Sequence, residues 1–359
     1  MARVGTTCAL AALLVAVSAA VHDAASAASS SSALRDDVPP TPPLVSPLVA
    51  AGDDGAGSFQ LSRVDFGQAS PVTPLGAPLV GWVLVQGDAT AYDGASTYFA
   101  VLTASPNGVP DRSRSALFAL DVRTGAVLWS YAGFPANYTM GALAWEPSLG
   151  VVGLCGSLLV DSQVEGFCGV DVAAGARTPR LIADWGWTLA YDPDTRALDP
   201  ASHRYYHRLY NASWMPDWFV TLDSRSGALQ RYAQFSSPEF SGTRVDVRTG
   251  GVWSICNAPA GLDVCGVDPA TGAFTPTGAL DRVREDDFIY AATAAVDATH
   301  GLYIIVVEFA VDGTFARAVD INASSPTFGA IVANYSVPAD PWLSNWHVLG
   351  APDDASRRS

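Results

Sequence analysis

Five acidic residues stand at turns with near-regular spacing: Tyr92-Asp93-Gly94, Trp145-Glu146-Pro147, Tyr191-Asp192-Pro193, Val245-Asp246 and Val296-Asp297. Two carboxylates drawn together from such a set would perform general acid–base chemistry of the glycosidase kind, provided their surroundings separate their pKa values. Their equivalence works against this. A repeat gives each acid similar surroundings, and an Asp in a turn already serves by accepting hydrogen bonds from its own backbone. Glu146 is the one glutamate of the five and the weak candidate for a catalytic acid.

A second concentration lies between Asp199 and Trp218, where His203, Tyr205, Tyr206, His207 and Trp214 crowd together with arginines. This reads as an insertion in its repeat unit. Long loops on rigid scaffolds carry binding. Aromatic rings stack on sugars or aromatic ligands, and arginine holds carboxylates. These five residues are the expected ligand contacts, against the alternative that the rings pack an extended hairpin. His203 and His207 are four apart, yet no glutamate lies between them, so the zinc-hydrolase string is missing. The other histidines downstream are His300, in a turn, and His347, beside Trp346. No Gly-x-Ser-x-Gly elbow and no phosphate loop occurs. No metal or cofactor is expected, except a divalent cation or quinone if the protein is an enzyme.

The elements that must position these residues repeat about every 50 residues. A second series of aspartates ends short apolar runs: Asp121-Val-Arg-Thr-Gly125, Asp171-Val-Ala-Ala-Gly175, Asp223-Ser-Arg-Ser-Gly227, Asp268-Pro-Ala-Thr-Gly272 and Asp320-Ile-Asn-Ala-Ser324. The two series interleave without a miss. Each unit reads as short strands joined by tight turns, as in Leu302 to Phe309, then Asp312-Gly313, then Phe315 to Ile321. A period of this size belongs to propellers and similar arrays. The expected fold is all-β, a β-propeller of four-stranded antiparallel blades. Five units are complete. A sixth, composite blade would join Phe59 to Leu75 with the C-terminal Trp342 to Leu349, hiding the last open edges. Seven blades or an incompletely closed ring are the alternatives.

The string Ala119-Leu-Asp-Val-Arg-Thr-Gly-Ala-Val-Leu-Trp129 resembles the repeats of quinoprotein-like and related β-propellers, over roughly residues 58 to 350. The resemblance implies blade architecture. Such propellers include quinone-dependent dehydrogenases, lactonases, scaffolds and ligand-binding modules, so it does not choose an activity.

The first 20 residues form an export signal: Arg3, an apolar core from Leu10 to Val17, then Ser18-Ala19-Ala20, with cleavage sites up to residue 28. Residues 24–57 are an Ala/Ser/Pro-rich linker, 58–350 the propeller, and 351–359 a polar tail. Once Cys8 leaves with the signal, four cysteines remain. Cys168-Gly-Val-Asp171 and Cys265-Gly-Val-Asp268 occupy one blade position, and Cys155 and Cys256 another. This register pairs Cys155 with Cys168 and Cys256 with Cys265, each joining the second strand to the third within a blade. Asn137, Asn211, Asn322 and Asn334 carry the N-glycan acceptor pattern.

The net charge is −15, and all 20 basic residues are arginine. An acidic surface argues against nucleic acid and anionic membranes, which need basic patches. After the signal no apolar run is long enough to cross a membrane. The sequence therefore describes a secreted, monomeric, non-catalytic propeller that binds an extracellular protein or glycan. The alternative is a secreted propeller enzyme, a lactonase-like hydrolase or quinone-dependent oxidoreductase, with its site at the channel mouth.

Overall fold

Every blade has to bury two faces, and the strand sequences show how. Along Tyr98–Leu102, Tyr98, Ala100 and Leu102 pack toward one neighbouring blade, while Phe99 and Val101 pack toward the other. Side chains alternate across a strand, so a sheet enclosed on both sides needs an unbroken apolar run.

The computed structural model describes residues 45–349, except 54–56, 69, 85–87, 107–108, 135–137, 158–162, 192–194, 211–216, 235–239, 259–260, 281–287, 310–312 and 338–343. The chain divides into Met1–Pro42 and Pro43–Ser359, and every described residue belongs to the second unit. The expected signal and tail, and the linker up to residue 44, lie outside the described residues. Among the described residues no helix is long and apolar enough to cross a membrane.

The fold is a six-bladed β-propeller of antiparallel sheets arranged radially. Blade one is composite: Ser344–Val348 lies innermost, followed by Leu48–Asp53, Ser58–Val64 and Val72–Pro74, with Leu79–Val80 also against Ser58–Val64. In blade two the inner position is shared by Trp82–Leu84 and Thr90–Tyr92, both paired with Thr97–Ala104, then Asp111–Asp121 and Val127–Tyr131. Blade three runs Tyr138–Glu146, Gly150–Ser157, Gln163–Asp171 and Arg180–Tyr191. Blade four runs Ala197–Asp199, Arg204–Tyr210, Asp217–Asp223 and Leu229–Gln234, and Ala190 and Tyr191 of blade three also pair with it. Blade five runs Phe240–Asp246, Gly251–Ala258, Gly261–Asp268 and Ala273–Pro276. Blade six runs Phe288–Asp297, Leu302–Phe309, Gly313–Asp320 and Ile331–Ser336.

A hydrophobic cluster fills the junction between each successive pair of blades. The junction of blade six with blade one is filled by Trp346, Leu48, Val64, Ile304 and Val306. The ring is therefore closed, which removes the seven-bladed and open alternatives. One boundary moves. Residues 48–53, expected within the linker, form a strand of the composite blade, with Leu48, Val49, Ala50 and Ala51 fully buried.

Both expected disulfides are present, Cys155–Cys168 and Cys256–Cys265, with Cα atoms 5.8 and 6.0 Å apart. Each links the second strand of its blade to the third. Both are buried at the junction with the preceding blade.

Candidate functional site

The inner acids stand at the end of the first strand in blades two to six and turn into their own loops. Asp93 accepts backbone N–H groups of Ala95, Ser96 and Thr97. Asp246 accepts Arg248 N–H and the Thr249 hydroxyl at 2.7 Å. Asp297 accepts Thr299 and His300 N–H, lies 2.8 Å from His300 Nδ1, and also takes Ser46 N–H at 2.9 Å. Glu146 is fully buried. Its Oε1 accepts the Ser148 hydroxyl and lies 3.0 Å from His203 Nδ1, and its Oε2 accepts the Ser224 hydroxyl. The carboxylates cap turns and, at Glu146 and Asp297, staple one blade to the next. Glu146, the weak candidate for a catalytic acid, is thus engaged with Ser148, His203 and Ser224.

The third acid of that series is corrected. Asp192 lies outside the described residues, and Asp199 holds the equivalent position, ending the inner strand Ala197–Asp199 and accepting Ala201 N–H and the Ser202 hydroxyl. This shift of register explains the apparent insertion. Arg204–Tyr210 is the ordinary second strand of blade four, so its side chains enter the junctions on either side. Tyr205 packs toward blade three and Tyr206 toward blade five, and both are buried. His207 is fully buried, 3.2 Å from the Thr195 hydroxyl and 3.8 Å from Asp88 Oδ2. His203 takes a positive φ of 55° where blades three, five and six place Gly150, Gly250 and Gly301, and it is held by Glu146. Tyr205 and His207 are thus interior residues; Tyr206, though buried, lines a small pocket of about 130 Å³ with Arg204, Thr221, Gln230, Arg231 and Pro269, and Trp214 lies outside the described residues.

A second open space is enclosed by other residues. A cavity of about 190 Å³ is lined from all six blades, with Tyr92, Leu143, Arg196, Arg244, Ala295 and His347 each from a different one. Its walls are first strands. Read back from the inner acid by two places, these carry Ala91, Ala144, Ala197 and Ala295 in blades two, three, four and six, but Arg244 in blade five. One place deeper stand Thr90, Leu143, Thr243 and Ala294, but Arg196 in blade four. Small residues suit the crowded centre of a ring, so the two arginines are the departures from the pattern.

Both arginines are anchored on backbone oxygens. Arg196 is buried. Its Nε donates to Leu143 O, and its Nη2 donates to Thr90 O at 2.6 Å and to the Thr90 hydroxyl at 3.3 Å. Its Nη1 is buried and has no hydrogen-bond partner among the described residues. Arg244 donates from Nε to Ala294 O and from Nη1 to Thr243 O, each at 2.7 Å. The acceptors Leu143, Thr243 and Ala294 sit on irregular stretches. The inner strands of blades three, five and six each slip register beside them, between Gly141 and Ala144, Ser241 and Arg244, and Tyr290 and Ala295. Ala142 (φ 49°) and Gly242 (φ 63°) hold the same left-handed place in the first two. Their carbonyls, turned out of the ladder, accept the hydroxyls of Tyr205 and Tyr303 from the following blades. Burial pushes both phenols well above the usual tyrosine range.

His347 completes the wall, with Nε2 3.4 Å from the Thr90 hydroxyl. Burial first, then the guanidiniums of Arg196 and Arg244, hold its imidazole well below the usual histidine range. It therefore faces the cavity neutral. Among the described residues no group of three or more His, Cys, Asp or Glu side chains is disposed to hold a metal ion. Of the glycan acceptors, Asn334 is exposed on the outer strand of blade six and Asn322 is partly exposed in an outer turn; Asn137 and Asn211 lie outside the described residues.

No protein-family model and no curated protein matches the chain. Solved structures do. A chain in the crystal structure of a nidogen/laminin complex is similar at 10% identity and a TM-score of 0.55, over 85% of this chain and 99% of that one. TolB from Acinetobacter baumannii is similar at 11% identity and a TM-score of 0.48, over 84% of this chain and 66% of its own. The β-propeller domain of the Trilobed protease from Pyrococcus furiosus is similar at 8% identity and a TM-score of 0.45, over 82% and 80%. At these identities the likeness concerns the fold alone.

Proposed function

We propose that this is a secreted propeller that binds a small molecule in its central channel. The observation that carries the reading is the cavity of about 190 Å³ to which all six blades contribute. Concave, largely apolar sites with a few fixed polar groups are where small ligands bind, and here those groups are Arg196, Arg244 and His347. In the hairpin from Asp199 to Trp218, by contrast, Tyr205 and His207 are interior, and the pocket beside Tyr206 is the smaller of the two, about 130 Å³. Two disulfides support an oxidising compartment, as the signal-like N-terminus does.

The test is to fill the channel. Ala144 lines the cavity and is only partly buried. Thermal denaturation is measured with a panel of small acids, amides, alcohols and sugars, for the native protein and for Ala144→Trp. At least one compound raises the midpoint of the native protein and not of the variant. Compounds that stabilise both equally would move the site out of the channel.

A second reading, an enzyme at the same place, is favoured by His347. A histidine held neutral keeps a ring nitrogen unprotonated, and an anion bound beside the two cations would raise its basicity enough for it to take a proton. Under this reading His347→Gln keeps binding and loses turnover of the compounds that bind.

A further inference from the structure

We infer that the channel ligand is an organic anion, a carboxylate on a compact apolar body, held by Arg196 and Arg244. This rests on the channel reading and adds the chemical class.

Four observations lead there. First, the two guanidiniums are departures from a small-residue repeat, set where four other blades have alanine in one row and uncharged residues in the other. Nothing in the repeat calls for them. Secondly, Arg196 is buried and its partners are a hydroxyl and carbonyls, not a carboxylate. Carbonyls satisfy donors without neutralising charge. A buried charge without a counter-ion is costly, and an anion supplied by a ligand removes that cost. Thirdly, Nη1 of Arg196 is a buried donor with no partner among the described residues, on a side chain that lines the cavity. A planar guanidinium with a free donor suits a carboxylate oxygen.

The fourth concerns size and the rest of the wall. Leu143, Ala295 and Val348 make it apolar beside the arginines. A dry cavity of about 150 Å³ holds benzene, so about 190 Å³ suits a ring with one carboxylate. An inorganic anion would leave the apolar wall unused. The net charge of −15 makes the local positive site more notable, since it runs against the molecule as a whole. Asp88, fully buried with His207 3.8 Å away, does not line the cavity.

The experiment is calorimetric titration of the intact protein with benzoate, its neutral isostere benzamide, and inorganic sulfate. Benzoate binds at one site, at least about tenfold tighter than benzamide and sulfate, since a charge-assisted hydrogen bond carries that much. Arg244→Gln weakens benzoate by about tenfold or more and leaves benzamide unchanged. Arg196→Lys serves as the second variant, because it keeps a cation while losing the fork, and it weakens benzoate as well. Benzamide binding as tightly as benzoate, with both lost in Ala144→Trp, overturns the anion and leaves the channel reading standing. Benzoate bound equally by the native protein and Ala144→Trp overturns both. Sulfate binding tighter than benzoate overturns the organic body. No binding of benzoate overturns the proposed class.

Discussion

The inner turns and the channel wall are neighbours on the inner strands of blades two to six, two or three residues apart, and they treat charge in opposite ways. At the turns each described carboxylate is met by N–H groups, hydroxyls or a histidine of its own or the next blade. At the wall, Arg196 leans on carbonyls and leaves one donor unmet among the described residues. Groups fully satisfied within the protein hold it together and have little left for a ligand. Groups satisfied only in part, inside a cavity, have capacity to spare. The repeat built the first region, and breaks in the repeat built the second.

The comparison is broken most directly at Glu146. If the turn acids are staples, Glu146→Ala removes one carboxylate and strands His203 and Ser224 across the blade three–blade four junction. Losing one partner of a buried charged network costs about 3 kcal/mol. Asp93→Ala, whose partners are three N–H groups of its own partly exposed loop, costs roughly 1 kcal/mol. Urea denaturation of the two variants measures the difference. Ligand binding in the channel should survive both. An Asp93 variant as damaged as the Glu146 variant would mean that the cross-blade contacts of Glu146 add nothing.

A smaller effect is expected at Tyr205 and Tyr303. Tyr205→Phe and Tyr303→Phe leave the displaced carbonyls of Ala142 and Gly242 without those donors, for about 1–2 kcal/mol each. The consequence for the channel is specific. Those carbonyls lie one residue from Leu143, which anchors Arg196, and from Thr243, which anchors Arg244. Loosening the stretches should therefore weaken benzoate binding while Ala144→Trp stability is unaffected by ligand. If stability falls and affinity does not, the turns and the wall are independent.

How much of this could be read in advance depends on whether a feature repeats. The aspartate turns and both disulfides follow from strings that recur, such as Cys168-Gly-Val-Asp171 and Cys265-Gly-Val-Asp268. The closing blade was half legible. Ser344–Val348 and Ser58–Val64 were anticipated, whereas Leu48–Asp53 was hidden by a flank of linker composition and by its own small residues. The turn acid of blade four decides how that segment reads. With Asp192 as the turn of blade four, the next 20 or so residues look inserted; with Asp199 they form an ordinary hairpin. The same correction sets Arg244 against Ala91, Ala144, Ala197 and Ala295, so a signal for the channel was present once the register was right. A signal for the tyrosine contacts was present too, since Tyr205 and Tyr303 both stand six places after an inner acid. The orphaned donor of Arg196 was not legible, since it depends on which carbonyls the strand irregularities present.

The smallest effects separate the two regions by pH. Hydrogen bonds hold several outer carboxyls below the usual aspartate range. For Asp268 the Thr271 hydroxyl comes first, then Ala270 N–H. For Asp121, Asp223 and Asp320 burial pushes upward and is outweighed by hydrogen bonds from their turns. A carboxyl lower in the folded state gives stability that is full above its unfolded pKa, about 3.9, and is lost as pH falls through the folded values. His347 is also depressed by folding, but its unfolded value is near 6.5. Below about pH 6.5 the unfolded chain takes up a proton that the folded channel refuses, so its contribution falls from there downward. Stability measured by urea between pH 8 and pH 2 should thus show two declining limbs. His347→Gln removes the upper limb alone, and Asp268→Asn shallows the lower one. Saturating benzoate should shift the upper limb to lower pH or reduce it, because an anion beside the two guanidiniums lets the imidazole accept its proton more readily. A single limb near pH 4, unchanged in His347→Gln, would mean that neither burial nor the two guanidiniums hold the His347 imidazole below its ordinary range.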